Sequence, residues 1–204
     1  MTVLAIAPRH NSPGKRDASG AFAPEARAFI KLHGGALVDF DNRMDRAARW
    51  RWLRGTLAAF DGGGFDAVAF FCHGYRNGIQ AGAHMPQAAE LASFVRATGA
   101  GICVLYACDA GRDLDPERAD DLAEGPGGAG GFAWELARHG LQVDAHVTAA
   151  HTTINPHVRR FPAGDWIVSP KDPLWGAWRR RLKSDRAFRL SFPLQSIAEI
   201  RAGL

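Results

Sequence analysis

Short, almost wholly apolar runs alternate along the chain with longer stretches in which apolar residues return every third or fourth position. Residues 3–7, 36–40, 67–72 and 101–107 are runs of the first kind. Strands covered on both faces read this way. Weaker strand patterns at 143–149 and 166–169 predict a fifth and a sixth. Between them lie amphipathic segments. Residues 24–33 carry Ala28, Phe29 and Leu32 on one face, with Pro24 in the first turn and Gly34-Gly35 as a stop. Residues 43–60 repeat the pattern with Trp50, Leu53, Leu57 and Phe60, and 86–98 with Ala88, Leu91 and Val95. A short helix is expected at 132–139, and loops at 8–23 and through the Gly-rich, acidic stretch 109–131. Strands separated by helices require right-handed crossovers. The expected fold is therefore α/β, a three-layer sandwich with a mostly parallel sheet of about six strands and helices on both faces.

Composition narrows the class further. The 204 residues are 47% hydrophobic and 23% charged, which excludes collagen, coiled coil and general disorder. Apolar runs such as 67–72 fall far short of the ~20 residues needed to span a membrane. The apolar N-terminus has no basic leader and meets Pro8 early, so it reads as a strand. Three cysteines cannot all pair with one another, which favours a reducing compartment. These features predict a cytoplasmic chain without membrane contact, folded as one domain over 1–204, with 158–204 as a basic helical extension. Charge is uneven: residues 109–157 carry three basic and nine acidic groups, and 158–204 carry ten and four. In the basic segment Trp175, Trp178, Arg179, Arg180 and Arg181 mix aromatics with cations, a pattern able to grip a nucleic-acid backbone. A plain surface helix with its rings turned inward accounts for the same residues.

In an open parallel sheet, ligands meet the protein beyond the carboxyl ends of the strands. Two reactive groups are expected there. The third predicted strand ends in Cys72-His73-Gly74 and the fourth in Tyr106-Ala107-Cys108-Asp109-Ala110-Gly111. Neighbouring strands lie about 4.8 Å apart, so His73 and Cys108 can meet if they leave the sheet on one side. An imidazole beside a thiol can take its proton and generate the nucleophilic thiolate. Alternation along the strands sends Cys103 to the layer opposite Cys108, and Cys72 opposite His73, as core thiols. The backbone N–H groups of Gly74 and Cys108 are candidate oxyanion donors. Arg9, past the first strand, and Asp109 are candidate lining groups of opposite sign. His151, at the end of the fifth predicted strand, either lines the same cleft or replaces His73 as base. The other histidines lack metal-ligand spacing, no Cys-x-x-Cys occurs, and no phosphate or dinucleotide glycine fingerprint is present, so no metal or cofactor is expected.

The runs Val68-Ala69-Phe70-Phe71-Cys72-His73-Gly74 and Val104-Leu105-Tyr106-Ala107-Cys108-Asp109-Ala110-Gly111 resemble the paired motifs of the caspase-like cysteine peptidases, which include caspases, metacaspases, gingipains, separase and CHAT domains. The resemblance covers residues 1 to about 155 in strand order. It implies an endopeptidase acting on a peptide or protein substrate through a Cys–His dyad, with His73 as general base, Cys108 as nucleophile and Gly74 as an oxyanion amide. The separation of 35 residues between His73 and Cys108 is shorter than the ~50 of the caspase signature. Two positions before the nucleophile, where caspases carry Gln and metacaspases Asp, this chain has Tyr106, so neither group's residue preference transfers. The alternative is a non-catalytic module of the same fold that binds protein or nucleic acid.

Overall fold

A computed structural model describes residues 1–114, 130–150, 153–162 and 165–204. The first strand is an interior one. Strand β1 (Val3–Pro8) is buried along its whole length and leads through helix α1 (Ala23–His33) to β2 (Gly35–Phe40) on one side. Helix α2 (Arg46–Ala59) then carries the chain back across to β3 (Ala67–Phe71) on the other side of β1. A two-residue-strand hairpin, β4 (Gly74–Tyr75) with β5 (Gly78–Ile79), precedes helix α3 (Ala88–Ala97) and strand β6 (Ile102–Tyr106). Helix α4 (Phe132–Ala137) leads to β7 (Gln142–His146), and β8 (Val158–Phe161) and β9 (Asp165–Trp166) complete the sheet. The strand order is β2-β1-β3-β6-β7-β8-β9. Pairings are parallel from β2 through β7 and antiparallel beyond it. The fold is α/β, with a seven-stranded, mostly parallel sheet between two helical layers, one strand more than the sequence predicts.

Strand alternation sorts the core into two layers. Leu4, Ile6, Val68, Phe70, Cys103 and Leu105 pack with α2, α3 and α4 through Leu53, Leu57, Leu91, Val95 and Leu136. Val3, Ala5, Ala69, Phe71, Val104 and Tyr106 face the other way, against Ala26 and Phe29 of α1. Every one of these is at most 2% exposed, so the central strands are dry on both faces. That is the burial their unbroken apolar runs require.

The predicted helical extension from 158 instead begins as sheet. Val158–Phe161 carries two arginines and does not look like a strand in sequence, yet each arginine has a cross-strand partner. Arg160 stands opposite Asp144 of β7 and grips its carboxylate with two hydrogen bonds, 2.7 and 2.8 Å. Arg159 stands opposite Trp166 of β9 and lies 4.2 Å above its indole. Helices follow only at α5 (Trp175–Ser184), α6 (Arg186–Ser191) and α7 (Ile197–Ala202). They enclose a third cluster in which Trp178 meets Phe188 and Phe192 edge-on and packs near Ile200. Arg160 also donates to the Gln195 carbonyl at 2.7 Å, tying this cluster to the sheet. Burial pushes the Asp144 carboxyl upward against the pull of the guanidinium, but two short hydrogen bonds keep the pair together. Asp144→Ala strands Arg160, whose side chain is only 11% exposed. The expected loss is about 3–5 kcal/mol, measured as a shift in urea unfolding; a loss under about 1 kcal/mol, the scale of a surface pair, overturns this role for the bridge.

Candidate active site

Direction along the sheet reverses between β1 and β3, the place where an α/β sheet opens a crevice at the carboxyl ends of its strands. Three segments leave the sheet there or next to it: the loop after β1, the Cys72-His73-Gly74 turn after β3, and the Ala107-Cys108-Asp109 turn after β6. The β3–β6 register pairs Phe71 with Tyr106. Continued by one step it sets Cys72 against Ala107, and by two it sets His73 against Cys108. Cys72 and Ala107 both belong to the α2–α3 core layer, fully buried. His73 emerges toward the α1 layer, where its ring meets Phe22, and Cys108 leaves the neighbouring strand end beyond the stacked rings of Phe71 and Tyr106, whose centroids are 4.6 Å apart. The two turns press on each other. A Cβ on Gly74 would overlap the Cys108 carbonyl oxygen and stand 2.7 Å from the Ala107 carbonyl carbon, so only glycine permits this approach.

His73 is one-third exposed and is held on two sides. Its Nε2 lies 2.6 Å from Oδ2 of Asp17, and the edge of its ring meets Phe22 at a centroid distance of 5.0 Å and 87°. Asp17 opens a π-helical turn, Asp17–Phe22, inside the segment that the sequence pattern marks only as loop 8–23. Its carboxylate is saturated with donors. Oδ1 accepts from the backbone N–H of Ser12 at 2.8 Å and of Ala18 at 2.9 Å, and Oδ2 also accepts from the Ser12 hydroxyl at 2.5 Å. Burial alone would raise this carboxyl, but the Ser12 hydroxyl, His73 and the two backbone donors outweigh it and hold Asp17 well below the usual carboxylate range.

Cys108 is half-buried, and its thiol donates to the Ala150 carbonyl at 2.7 Å; it makes no hydrogen bond to His73. Burial pushes the thiol up, and the neighbouring Asp109 carboxylate adds to the rise. Ala150 belongs to the connection after β7. Asn155 braces that connection by accepting from the Thr148 hydroxyl and the His157 N–H and donating to the Thr148 carbonyl. The nucleophile candidate is thus a thiol engaged with backbone, and the base candidate an imidazole positioned by a carboxylate.

The remaining candidates separate. Arg9 pairs with Asp39 at 2.7 Å on β2, the side of β1 away from β3, and so stands apart from the His73–Cys108 pair. Tyr106 is corrected: it is 1% exposed, with its hydroxyl on the Arg189 carbonyl at 2.7 Å, so it forms the floor beneath the site and lines no cleft. Asp109, in the left-handed region at φ 57°, faces Arg112 at 3.7 Å within the turn that aims Cys108. His151 lies outside the described residues, as does most of the acidic stretch 109–131. Trp178 is also corrected: it is fully buried with its indole N–H on the Pro156 carbonyl, so it presents no stacking face to a nucleotide base. Arg179 and Arg180 are exposed, whereas Arg181 is drawn to Asp185 and the Gly203 carbonyl. Among the described residues no group of three or more His, Cys, Asp or Glu is gathered to hold a metal ion, and no helix is long and apolar enough to cross a membrane. Sequence reasoning missed Asp17, Ser12 and Phe22, for which the only local sign is an acidic residue in a polar loop.

The three thiols occupy unequal surroundings. Cys72 and Cys103 are fully buried, and burial pushes Cys72 up to about 12 and Cys103 higher still. Cys108 alone is reachable from solvent. Titration of the folded protein with a chromogenic disulfide at pH 8 is expected to release one equivalent, lost in Cys108→Ser, with the other two released only in denaturant. Release of two or three equivalents from the folded protein contradicts this arrangement. Comparison with known proteins yields no relative: no protein-family model, no curated protein and no solved structure matches the chain.

Proposed function

We propose that the protein is a caspase-like cysteine endopeptidase that hydrolyses peptide bonds through a thioester on Cys108. The observation that supports this reading is the β3–β6 register, which ends with Phe71 opposite Tyr106, so that the turns bearing His73 and Cys108 leave the sheet at adjacent strand ends. In the reaction the Cys108 proton passes to the imidazole as Sγ attacks the substrate carbonyl carbon. The resulting oxyanion is met by the backbone N–H groups of Gly74 and Cys108. Collapse of the tetrahedral species breaks the C–N bond, and the imidazolium protonates the departing amine. Water, deprotonated by His73, then attacks the thioester, and the acid leaves as the thiol is restored. To enter this cycle the thiol exchanges its Ala150 carbonyl partner for the imidazole, a step coupled to the seating of a substrate strand.

A second reading is a non-catalytic protein-binding module on the same fold, favoured by the Cys108–Ala150 hydrogen bond, which uses the thiol as a structural donor. Hydrolysis of an unfolded protein substrate, together with labelling by an acyloxymethyl-ketone peptide, separates the two. Both activities are expected in the native protein, to vanish in Cys108→Ala, and to fall by about 10²–10⁴-fold in His73→Ala, the range for loss of a general base. Persistence of hydrolysis in Cys108→Ala, or neither activity in the native protein against a broad peptide library, rejects the peptidase.

A further inference from the structure

We infer that Asp17 completes the site as the positioning residue of His73, fixing Nε2 as the protonated nitrogen and leaving Nδ1 as the base that serves Cys108. This rests on the peptidase reading for its effect on turnover, but the assignment of the proton stands on geometry alone. An ionised carboxylate only accepts hydrogen bonds. Asp17 is held ionised by three donors, the Ser12 N–H, the Ser12 hydroxyl and the Ala18 N–H, and His73 Nε2 lies 2.6 Å from its Oδ2. A neutral His73 must then carry its proton on Nε2, because the other tautomer would set two lone pairs against each other. The free Nδ1 is the only ring nitrogen left to accept the thiol proton.

The same contact favours the imidazolium formed once that proton arrives, since the positive ring gains a carboxylate it already touches. Nothing need reorganise at that moment. Ser12 holds the carboxylate through both its N–H and its hydroxyl, Ala18 through its N–H, and Phe22 holds the ring plane from the side. A surface ion pair would lack these restraints. Here the carboxylate side chain is 10% exposed and is fixed to its own loop before it meets the histidine.

The test uses the full chain with ¹⁵N-labelled histidine, the His73 signals being assigned by their loss in His73→Gln. In the native protein above the imidazole titration, the nitrogen shifts are expected to show the Nε2–H tautomer. Asp17→Ala should give a mixture of tautomers, and Asp17→Asn, which preserves shape, should weaken the preference. In parallel, kcat is expected to fall at least tenfold in Asp17→Asn with KM within about twofold of native, and Asp17→Glu should recover part of the loss. A native His73 protonated on Nδ1, or a tautomer unaltered by Asp17→Ala, overturns the inference. Absence of hydrolysis in the native protein counts against the peptidase and leaves the tautomer result to decide the role of Asp17.

Discussion

The parallel pairing of β3 with β6 is the constraint on which the rest of the site depends. Because Phe71 is in register with Tyr106, the turns that carry His73 and Cys108 leave the sheet at adjacent strand ends. A slip of one residue would break the match that buries Cys72 and Ala107 together in the α2–α3 core. That register is secured by apolar residues alone: Val68, Phe70, Cys103 and Leu105 on one face, Ala69, Phe71, Val104 and Tyr106 on the other. The polar groups of the site therefore contribute little to placing the strands that bear them. They sit where the ladder ends, and Gly74 lets the two turns close on each other.

Loops supply what the strands cannot. The strand ends fix where His73 and Cys108 emerge, but the direction in which the imidazole points is set by Asp17 and Phe22, both from the segment after β1. The thiol answers to a different loop, through the Ala150 carbonyl. The two halves of the candidate dyad are thus restrained by separate elements that approach from opposite neighbours of the β3–β6 pair. The base is organised by charge, within a carboxylate whose every lone pair is used. Burial and the neighbouring Asp109 carboxylate push the thiol up.

Much of this layout is legible in the sequence because central strands leave a strong signature. The runs at 3–7, 67–72 and 101–107 identify β1, β3 and β6 to within a residue or so, and parity along them correctly separates Cys72 and Cys103 from Cys108. The edge of the sheet is not legible in the same way. Val158–Phe161 satisfies its strand with charged residues that are paired only in three dimensions, Arg160 by Asp144 and Arg159 by Trp166, so no local periodicity announces it. Asp17 is hidden for the same reason. It is 56 positions from His73, and an aspartate in a loop with Pro, Gly and Lys reads as a solvated side chain until the fold delivers its partner. Tyr106 misleads in the opposite sense: its position before Cys108 suggests a lining residue, but its even spacing from Val104 places it in the core layer.

That burial of Tyr106 joins the site to the far end of the chain. Its hydroxyl needs a partner once the ring is enclosed, and the partner is the Arg189 carbonyl of α6. Helix α6 in turn is held by the Trp178–Phe188–Phe192 cluster, and that cluster is tied to the sheet through Arg160. The antiparallel strands β8 and β9 and the three helices after them are therefore a buttress beneath the strand ends. They support that floor from one side, while the segments on the other side supply Asp17 and the Ala150 carbonyl.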